Sequence, residues 1–471
     1  MIRVSDATAW AHCPRLAWFA LHPPPGEPVV ADPFDELIRS LGDAHEADVL
    51  HGFENYTTAR SAEHTRALIE ARVAVIYQPR FIDRDLDVIG EPDFLLREGD
   101  TYRVADAKLA LSIDDKKAIK AQLGMYRRLA RSPLPARVYL GNGESVDVDP
   151  AEDAIAEVFL GDMQHLALSD SEPDTHYSYT KCTTCVFSDH CVRQFKKLGE
   201  LTLSPGVDAR AAAGLRAQGI TTLDELAGAD PTQITDIPYL KGAAKKERAV
   251  LQARSLKTGN VFRLSDPDLP GGDYVHFDIE SDPLAGNGAG EVYLWGFLLP
   301  PYDTDSYDYV WHDPGRAADK RRWRAFLARL ETYRERFTRP VLVHYSPYER
   351  TQIRHYAARY DDHEHPIVRW LLATDGPLLD VQKSVKTAFV LPVMSYGLKS
   401  ICRDRRLVDF QWELDESGSQ WSVVRYHDYL AAVETGGTDE AGVIKQEILT
   451  YNEDDVRATE ALVAWIQRQP G

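Results

Sequence analysis

The chain has 471 residues, of which 44% are hydrophobic and 27% charged, and its formal net charge is -19. The length predicts several domains, and the composition excludes a long disordered or low-complexity chain. A run of about 18 uncharged apolar residues is absent, as is a basic N-terminal segment followed by an apolar one, so we expect a cytoplasmic protein with no membrane partner. The acidic charge argues against a chain-wide attraction to nucleic acid, although carboxylates gathered to hold metal ions contribute the same sign of charge.

Residues 1–198 predict a mixed α/β domain. A helical pattern runs through Trp10–Leu21, and a second helix is expected over Asp114–Arg131, with Gln122 and Tyr126 one turn apart on one face. Strands are expected in three alternating apolar segments: 73–77, 86–96 and 102–109.

Two acids and a lysine lie at the ends of the predicted strands. Asp106 and Lys108 are two residues apart, so they share one face of a strand, and Asp93 would come from the neighbouring strand of a hairpin. Phosphodiester hydrolysis needs a divalent cation on carboxylate oxygens, and a lysine can orient the attacking water. An isolated D-x-K pattern is more often an exposed strand with a salt bridge, so the surrounding motifs decide between the two interpretations.

Four elements occur in the order typical of one nuclease family: His45, Pro92-Asp93, Asp106-x-Lys108 and Gln122-x3-Tyr126. This arrangement resembles the PD-(D/E)XK nucleases of the RecB type. The resemblance implies Mg²⁺ or Mn²⁺ ligands at His45, Asp93 and Asp106, a water-assisting Lys108, and a DNA path lined by Gln122 and Tyr126. For His45 the alternative is a surface or helix residue that binds no metal.

The five cysteines predict a metal site, because disulfides are rare in cytosolic proteins. Cys182, Cys185 and Cys191 form a C-x2-C-x5-C group, Cys13 lies far upstream, and Cys402 is predicted to be a buried apolar residue. One cysteine before the nuclease core and three after it resemble the iron-sulfur subset of the family, which includes AddB-type and CRISPR-adaptation nucleases. The resemblance implies a structural 4Fe-4S cluster on these four thiolates. Zinc, with His190 as a possible ligand, is the alternative.

Residues 199–260 predict a small domain of short Ala-rich helices. Between residues 205 and 258 there are eight Lys/Arg against six Asp/Glu, a positive balance within an acidic chain. The segment resembles a helix-hairpin-helix module, in which backbone N–H groups bind DNA phosphate without reading the sequence. The module usually has a glycine where Asp208 stands, and an anionic side chain is unfavourable at a phosphate-binding turn. A helical spacer between two catalytic domains is therefore the alternative.

Residues 261–471 predict a third domain that begins with a strand over Tyr274–Phe277 and ends with an amphipathic helix over Lys445–Gln467. Between them, an apolar strand at 341–343 is followed by the start of a helix, with Glu349 in its first turn.

Acidic residues occur on the predicted strands and helices of this third domain. Asp278 and Glu280 share one face at the end of the first strand, and Tyr451 and Asp455 share one face of the last helix. The combination resembles DEDDy exonucleases of the RNase H-like fold and is closest to their YprB-like branch. The resemblance implies that Asp278, Glu280, Glu349 and Asp455 hold two divalent metals, and that Tyr451 orients the attacking water.

Position 349 departs from the family pattern, which has Asp there. One extra methylene can be accommodated by a carboxylate ligand, but it can also shift the metal and weaken the activity. Asp380 is interpreted as an acid at the end of a strand or helix, with a role behind the ligands as the alternative. Lys399 and Arg403 lie four residues apart. They fit contacts to a substrate phosphate and a solvated helix face equally well.

The sequence thus predicts an α/β multidomain protein with a PD-(D/E)XK restriction-endonuclease-like domain (1–198), a helix-hairpin-helix-like domain (199–260) and an RNase H-like exonuclease domain (261–471). We expect a metal-dependent DNA nuclease with 3'-5' exonuclease activity, acting in DNA repair or recombination on single strands or free ends. Duplex opening would need a helicase partner, because a G-x4-G-K-[ST] loop is absent. Three alternatives stay open: one active site with a nucleic-acid-binding platform, an RNA substrate, and a non-catalytic scaffold.

Overall fold

The computed structural model describes residues 1–23, 32–285, 290–315, 317–414 and 419–470. The chain divides into two compact units, which are Met1–His176 with Thr180–His190, and Tyr177–Tyr179 with Cys191–Gly471. Within the described ranges, no helix combines the length and the apolar character needed to cross a membrane.

The first unit is a mixed α/β structure. Its strands are β1 (Ile2–Arg3), β2 (Thr57–Thr58), β3 (Val75–Tyr77), β4 (Phe81–Asp83), β5 (Val88–Gly90), β6 (Phe94–Glu98), β7 (Thr101–Lys108), β8 (Ala136–Leu140) and β9 (Ser145–Val148). Its helices are α1 (Ala7–His12), α2 (Pro14–Leu21), α3 (Pro33–His51), α4 (Ala62–Glu70), α5 (Lys117–Ala130) and α6 (Ala154–Ala167). Two further helices, α7 (Tyr179–Cys182) and α8 (Ser188–Leu198), contain two of the three points where the chain passes from one unit to the other.

The main sheet of this unit has the strand order β2-β3-β6-β7-β8-β9, and a smaller sheet has the order β1-β5-β4. Strands β6 and β7 form an antiparallel hairpin, whereas β7 and β8 are parallel and are connected through α5. The central strand β7 is buried from Tyr102 to Asp106, as expected for a strand covered on both faces. Helices α5 and α6 contribute Leu123 and Phe159 to the core that covers it.

The predicted helix over Trp10–Leu21 is in fact two helices, α1 and α2, separated at Cys13. Cys13 is extended, with φ -162° and ψ 140°, and Pro14 begins α2. Proline disfavours the helical conformation of the preceding residue, and it is well tolerated in the first turn of a helix. Proline therefore explains both the break and the new start.

The second unit begins with a helical module and continues into a five-stranded sheet. Its strands are β10 (Phe262–Arg263), β11 (Asp273–Asp282), β12 (Glu291–Leu298), β13 (Tyr307–Trp311), β14 (Pro340–His344), β15 (Leu378–Asp380) and β16 (Phe389–Val390). Its helices are α9 (Ala209–Arg216), α10 (Leu223–Gly228), α11 (Ala243–Thr258), α12 (Ala318–Arg336), α13 (Tyr348–Arg359), α14 (Pro366–Leu372), α15 (Val381–Ala388), α16 (Leu398–Cys402), α17 (Ser419–Glu434) and α18 (Thr438–Arg468).

The large sheet has the order β13-β12-β11-β14-β15, with β11 at its centre. Strand β11 is antiparallel to β12 and parallel to β14. Its residues Val275, Phe277 and Ile279 pack into the core formed with α12, α13 and α14. Because side chains alternate along a strand, Asp278 and Glu280 point to the opposite face.

The helical module has its own core, formed by apolar residues of α9, α10 and α11, including Leu215, Leu226 and Val250. Asp208, whose charge was the objection to phosphate binding, has a structural role as the N-cap of α9. Its Oδ1 accepts a hydrogen bond from the Ala211 backbone N–H at 2.8 Å. The carboxylate is thereby directed to the helix N-terminus.

The last helix is confirmed but begins earlier than predicted, at Thr438 rather than Lys445. Asp439 and Glu440 lie in its first turn, where negative side chains stabilise a helix. Cys402 is fully buried, as predicted.

Candidate functional site

Three carboxylates meet at the centre of the large sheet. Strand β11 supplies Asp278 and Glu280, and α18 supplies Asp455. One ligand oxygen from each lies within 4.8 Å of the others, and this arrangement could hold a metal ion. We call these three residues the acidic cluster.

The amide of Asn452 fixes two of the three carboxylates. Its Nδ2 donates to Asp278 Oδ2 at 3.0 Å and to Glu280 Oε1 at 3.4 Å, and its Oδ1 accepts from Tyr307 Oη at 2.9 Å. Gly296 of β12 leaves the space for this amide, since a Cβ at that position would overlap Asn452 Oδ1. Neither Asn452 nor Gly296 was predicted from the sequence as a residue of the site.

Two further side chains orient the acidic cluster. Ser422 Oγ donates to Glu280 Oε2 at 2.6 Å, and Trp412 Nε1 donates to Asp455 Oδ1 at 2.7 Å. Both residues are buried. Hydrogen bonds of this kind fix the direction of carboxylates that bind a metal.

Tyr451 lies at the edge of the cluster, one helical turn before Asp455. Lys399 Nζ donates to Tyr451 Oη at 3.1 Å and lies 4.4 Å from the centre of its ring. Burial lowers the pKa of Lys399, although Asp455 acts in the opposite direction. Of the two basic residues that the sequence left undecided, Lys399 therefore belongs to the site. Arg403 lies 5.2 Å from the centre of the Trp412 ring.

The fourth predicted acid, Glu349, is buried in the first turn of α13 but is paired with a histidine. Its Oε2 lies 3.2 Å from His344 Nδ1, and that nitrogen is also 2.7 Å from the Ser346 carbonyl oxygen. Asp380 Oδ1 accepts the backbone N–H of Ser346 at 3.3 Å and that of Lys383 at 3.1 Å, so Asp380 caps α15. The acidic cluster thus contains three of the four predicted ligands.

The close approach of three carboxylates makes the metal-free site electrostatically unfavourable. Burial, followed by the charges of Glu280 and Asp455, raises the pKa of Asp278 well above its ordinary value. Burial and the charge of Asp455 raise the pKa of Glu280 to about 8. A bound cation would compensate these charges, as expected at a metal site.

We expect Mg²⁺ to raise the melting temperature more at about pH 9 than at about pH 5. The raised pKa of Glu280 favours its protonated form in the folded protein, so the metal-free protein loses stability as the pH rises from 4.5 to about 8. At low pH a proton competes with the metal, whereas at high pH Mg²⁺ binds the ionised carboxylates. Thermal unfolding with Mg²⁺ or with EDTA measures the difference, and equal increments at both pH values would contradict this expectation.

A second pair of acids lies on the β6–β7 hairpin of the first unit. Asp93 Oδ2 accepts the Ala107 backbone N–H at 2.7 Å, and Asp106 Oδ1 accepts the Asp93 backbone N–H at 3.0 Å. Lys108 Nζ lies 2.5 Å from Asp106 Oδ2. Burial and the charge of Asp106 raise the pKa of Asp93, and Lys108 opposes this rise. The hairpin therefore brings the two acids and the lysine together.

In the part of the chain that the structure describes, the other predicted residues of the hairpin site form no hydrogen bond to Asp93 or Asp106. His45 Nε2 lies 3.1 Å from the Tyr139 carbonyl oxygen. Gln122 is buried, with its Nε2 3.5 Å from Thr8 Oγ1. Burial raises the pKa of Tyr126, and the charges of Asp106 and Asp93 contribute, which indicates that this ring lies near both acids.

Glu46, the neighbour of His45, also acts on this site and was not predicted from the sequence. Its charge contributes to the raised pKa of Asp93, and its Oε1 accepts from Gln78 Nε2 at 3.2 Å. Among the described residues, Asp93 and Asp106 belong to no group of three ligands within 4.8 Å. The hairpin site is therefore less compact than the acidic cluster.

Three of the four predicted iron-sulfur ligands belong to the first unit: Cys13, Cys182 and Cys185. The fourth, Cys191, is the first residue of the long segment of the second unit. Burial raises the pKa of the Cys185 thiol, and the neighbouring Cys182 and Cys13 add to the rise. The predicted zinc alternative, His190, has its Nε2 3.1 Å from Glu172 Oε1.

A family model described as the RNase_H superfamily matches residues 275–467. The match spans the sheet from β11 to β15 and the last helix, and it therefore includes all three residues of the acidic cluster. Residues 275–467 form an RNase H-like domain. No curated protein matches the chain.

Proposed function

We propose that the chain is a metal-dependent nuclease whose RNase H-like domain removes nucleotides from the 3' ends of DNA. The observation that carries this proposal is the acidic cluster, three carboxylates that are buried or half-buried and are held by hydrogen bonds at the centre of an RNase H-like sheet. Enzymes of this fold are typically metal-dependent nucleases, and the cluster supplies the oxygen ligands that Mg²⁺ and Mn²⁺ prefer.

Each residue of the site has a role in this proposal. Asp278, Glu280 and Asp455 hold the metal, and Glu349 serves as a fourth carboxylate on the side of His344. The bound metal would stabilise phosphoryl charge and activate a water. Tyr451 orients the attacking water through its hydroxyl, which Lys399 holds at 3.1 Å.

The hairpin site is proposed as a second nuclease centre of the PD-(D/E)XK type. Asp93, Asp106 and Lys108 are close together there, on a hairpin that is followed by helix α5 and by the parallel strand β8. His45 is a further metal ligand in this proposal. Gln122 and Tyr126 line the DNA path.

A structural 4Fe-4S cluster on Cys13, Cys182, Cys185 and Cys191 is part of the same proposal. The charges of Cys182 and Cys13 raise the pKa of the Cys185 thiol, which indicates that these three cysteines lie near one another and supports three of the ligands. Iron and acid-labile sulfide in the purified chain would test this assignment. Zinc without sulfide would contradict it.

We propose DNA as the substrate, in repair or recombination in the cytoplasm, because the PD-(D/E)XK and helix-hairpin-helix resemblances both point to DNA. RNA is the alternative, since DEDD enzymes of this fold degrade either polymer. The discriminating experiment compares degradation of end-labelled DNA and RNA strands of one sequence. Faster loss of the RNA strand would overturn the choice of DNA.

Replacing Asp106 by Asn is expected to remove only the products of the hairpin site. The substitution leaves Lys108 without its ion-pair partner and removes one metal ligand, so activity there should fall by roughly a hundred-fold or more. Digestion from the 3' end, which depends on the acidic cluster, should persist. Gel analysis of strands labelled at either end separates the two activities, and identical products from the variant and the wild type would contradict a second centre.

A further inference from the structure

A cationic pocket of about 460 Å³ lies outside both acidic sites, within the second unit. Helix α11 contributes Lys245 and Arg248 to its lining, and α15 contributes Lys386. The turn at Pro205–Gly206 and the aromatic ring of Tyr239 complete the part of the lining that matters here. No acid is among the described residues that line this space, which we call the α11 pocket.

Two of the three cations have neutral hydrogen-bond partners. Arg248 donates to the Phe389 carbonyl oxygen at 3.1 Å, and Lys386 Nζ donates to Gln382 Oε1 at 2.8 Å. In contrast, Lys246 and Lys257 of the same helix α11 pair with Asp236 and Asp224, each at 2.8 Å. Among the residues that the structure describes, none of the three cations that line the pocket forms a salt bridge, although the charge of Asp380 acts on Lys386, in a chain whose net charge is -19.

The wall that carries these cations is fixed by buried hydrogen bonds. Tyr396 Oη donates to Gln252 Oε1 at 2.9 Å, and Gln252 Nε2 donates to the Leu391 carbonyl oxygen at 2.7 Å. Gln252 is fully buried and belongs to α11, so α11 is attached to the RNase H-like domain beside the pocket. The cations of α11 are therefore held against the RNase H-like domain, in the same pocket as Lys386 of α15.

An exposed aromatic ring stands at the same pocket. Tyr239 is 55% exposed, and its hydroxyl accepts from Arg210 Nη1 at 2.9 Å. Cationic grooves with accessible aromatic rings are typical of surfaces that bind single-stranded nucleic acid, where the cations contact phosphates and the rings stack on bases.

We propose that the α11 pocket binds the phosphodiester backbone of single-stranded nucleic acid through Lys245, Arg248 and Lys386, with a base stacked on Tyr239. This inference rests on the proposed nuclease function for the identity of the ligand. A free nucleoside monophosphate would offer the same phosphate chemistry, so the experiment has to separate the two sources.

The position of Lys386 links the pocket to the catalytic region. Helix α15 begins after Asp380, which is hydrogen-bonded to the Ser346 backbone beside Glu349. From Asp380 to Lys386 the helix rises by about 9 Å. We expect a strand bound at the acidic cluster to extend toward the pocket, which would then retain the strand between successive cleavages.

The test measures the affinity of the full chain for a labelled single strand of about 16 nucleotides, with EDTA to prevent hydrolysis, over a range of salt concentrations. Lys245→Ala combined with Lys386→Ala should weaken binding and reduce the slope of log K against log salt by about 1.4, since each phosphate contact contributes about 0.7 for single strands. The matched control, Lys320→Ala with Arg334→Ala, removes two exposed cations of α12 and should leave the slope unchanged. Lys245→Arg with Lys386→Arg should retain binding, because the charges are kept.

An unchanged slope in the pocket variant, or an equal decrease in the control, would overturn the proposal. Displacement of the strand by a nucleoside monophosphate at similar concentrations would do the same, because it would identify the free phosphate ester as the ligand. In the Asp106→Asn background, hydrolysis of a dinucleotide with Mg²⁺ reports on the acidic cluster and should be the same with and without the pocket substitutions. If the wild type degrades strands while the slopes coincide, the pocket proposal fails and the nuclease proposal stands; if it hydrolyses nothing, the nuclease proposal fails.

Discussion

Asp278→Asn is expected to slow digestion from the 3' end by roughly a thousand-fold, which corresponds to about 4 kcal/mol of activation free energy. The amide has nearly the shape of the carboxylate but carries no charge, so the acidic cluster loses an anionic metal ligand. Release of mononucleotides from a 3'-labelled strand measures the effect. The Asp106→Asn background removes any contribution of the hairpin site.

A separate measurement tests whether the Asp278→Asn variant is still folded. Since burial and the neighbouring acids raise the pKa of Asp278, its ionised form destabilises the metal-free protein. The Asn variant should therefore melt no lower than the wild type at neutral pH without metal. Asp273→Asn makes the same change at the start of β11, outside the acidic cluster, and should keep full activity. Comparable activities of the Asp278 and Asp273 variants would contradict the catalytic assignment.

Gly296→Ala is expected to destabilise the protein by about 3 kcal/mol and to abolish most of the exonuclease activity. The added methyl group would overlap Asn452 Oδ1. Asn452 is fully buried and could move away only by giving up its hydrogen bonds to Asp278, Glu280 and Tyr307. The free energy of unfolding should decrease, and the acidic cluster should lose its geometry. Thermal unfolding measures the first effect, and the 3'-end assay measures the second.

Gly442→Ala provides a matched control, because Gly442 lies on α18, the same helix as Asn452. A methyl group at this position meets no other atom within 4 Å. Alanine has a higher helix propensity than glycine by about 1 kcal/mol, so this variant should be slightly more stable than the wild type and fully active. If the Gly296→Ala variant were as stable as Gly442→Ala, the Asn452 amide would not need the space beside Gly296, and the prediction would be wrong.

The residues that the sequence predicted correctly in space are those whose relation follows from local periodicity. Asp278 and Glu280 are two apart on a strand, and Tyr451 and Asp455 are four apart on a helix, so each pair shares a face wherever the element lies. The structure brings these pairs together at the centre of the sheet. The hairpin pair Asp93 and Asp106 follows from the same kind of argument.

The residues that escaped prediction depend on contacts between distant parts of the chain. Ser422 and Trp412 donate hydrogen bonds to the acidic cluster, and no spacing in the sequence indicates these long-range contacts. Gly296 is informative only once the Asn452 side chain is seen to occupy the space beside it. Glu46 could have been predicted from the sequence, because it directly follows His45, which was already chosen as a ligand.

Helix α18 carries Tyr451, Asn452 and Asp455 in its middle. It runs from Thr438 to Arg468, a length of about 46 Å. Helices fray from their ends, and the second half of this one is anchored in the core by Leu462 and Trp465. Fluctuations that open the termini therefore do not reach the three site residues, whose spacing persists for as long as the domain itself remains folded.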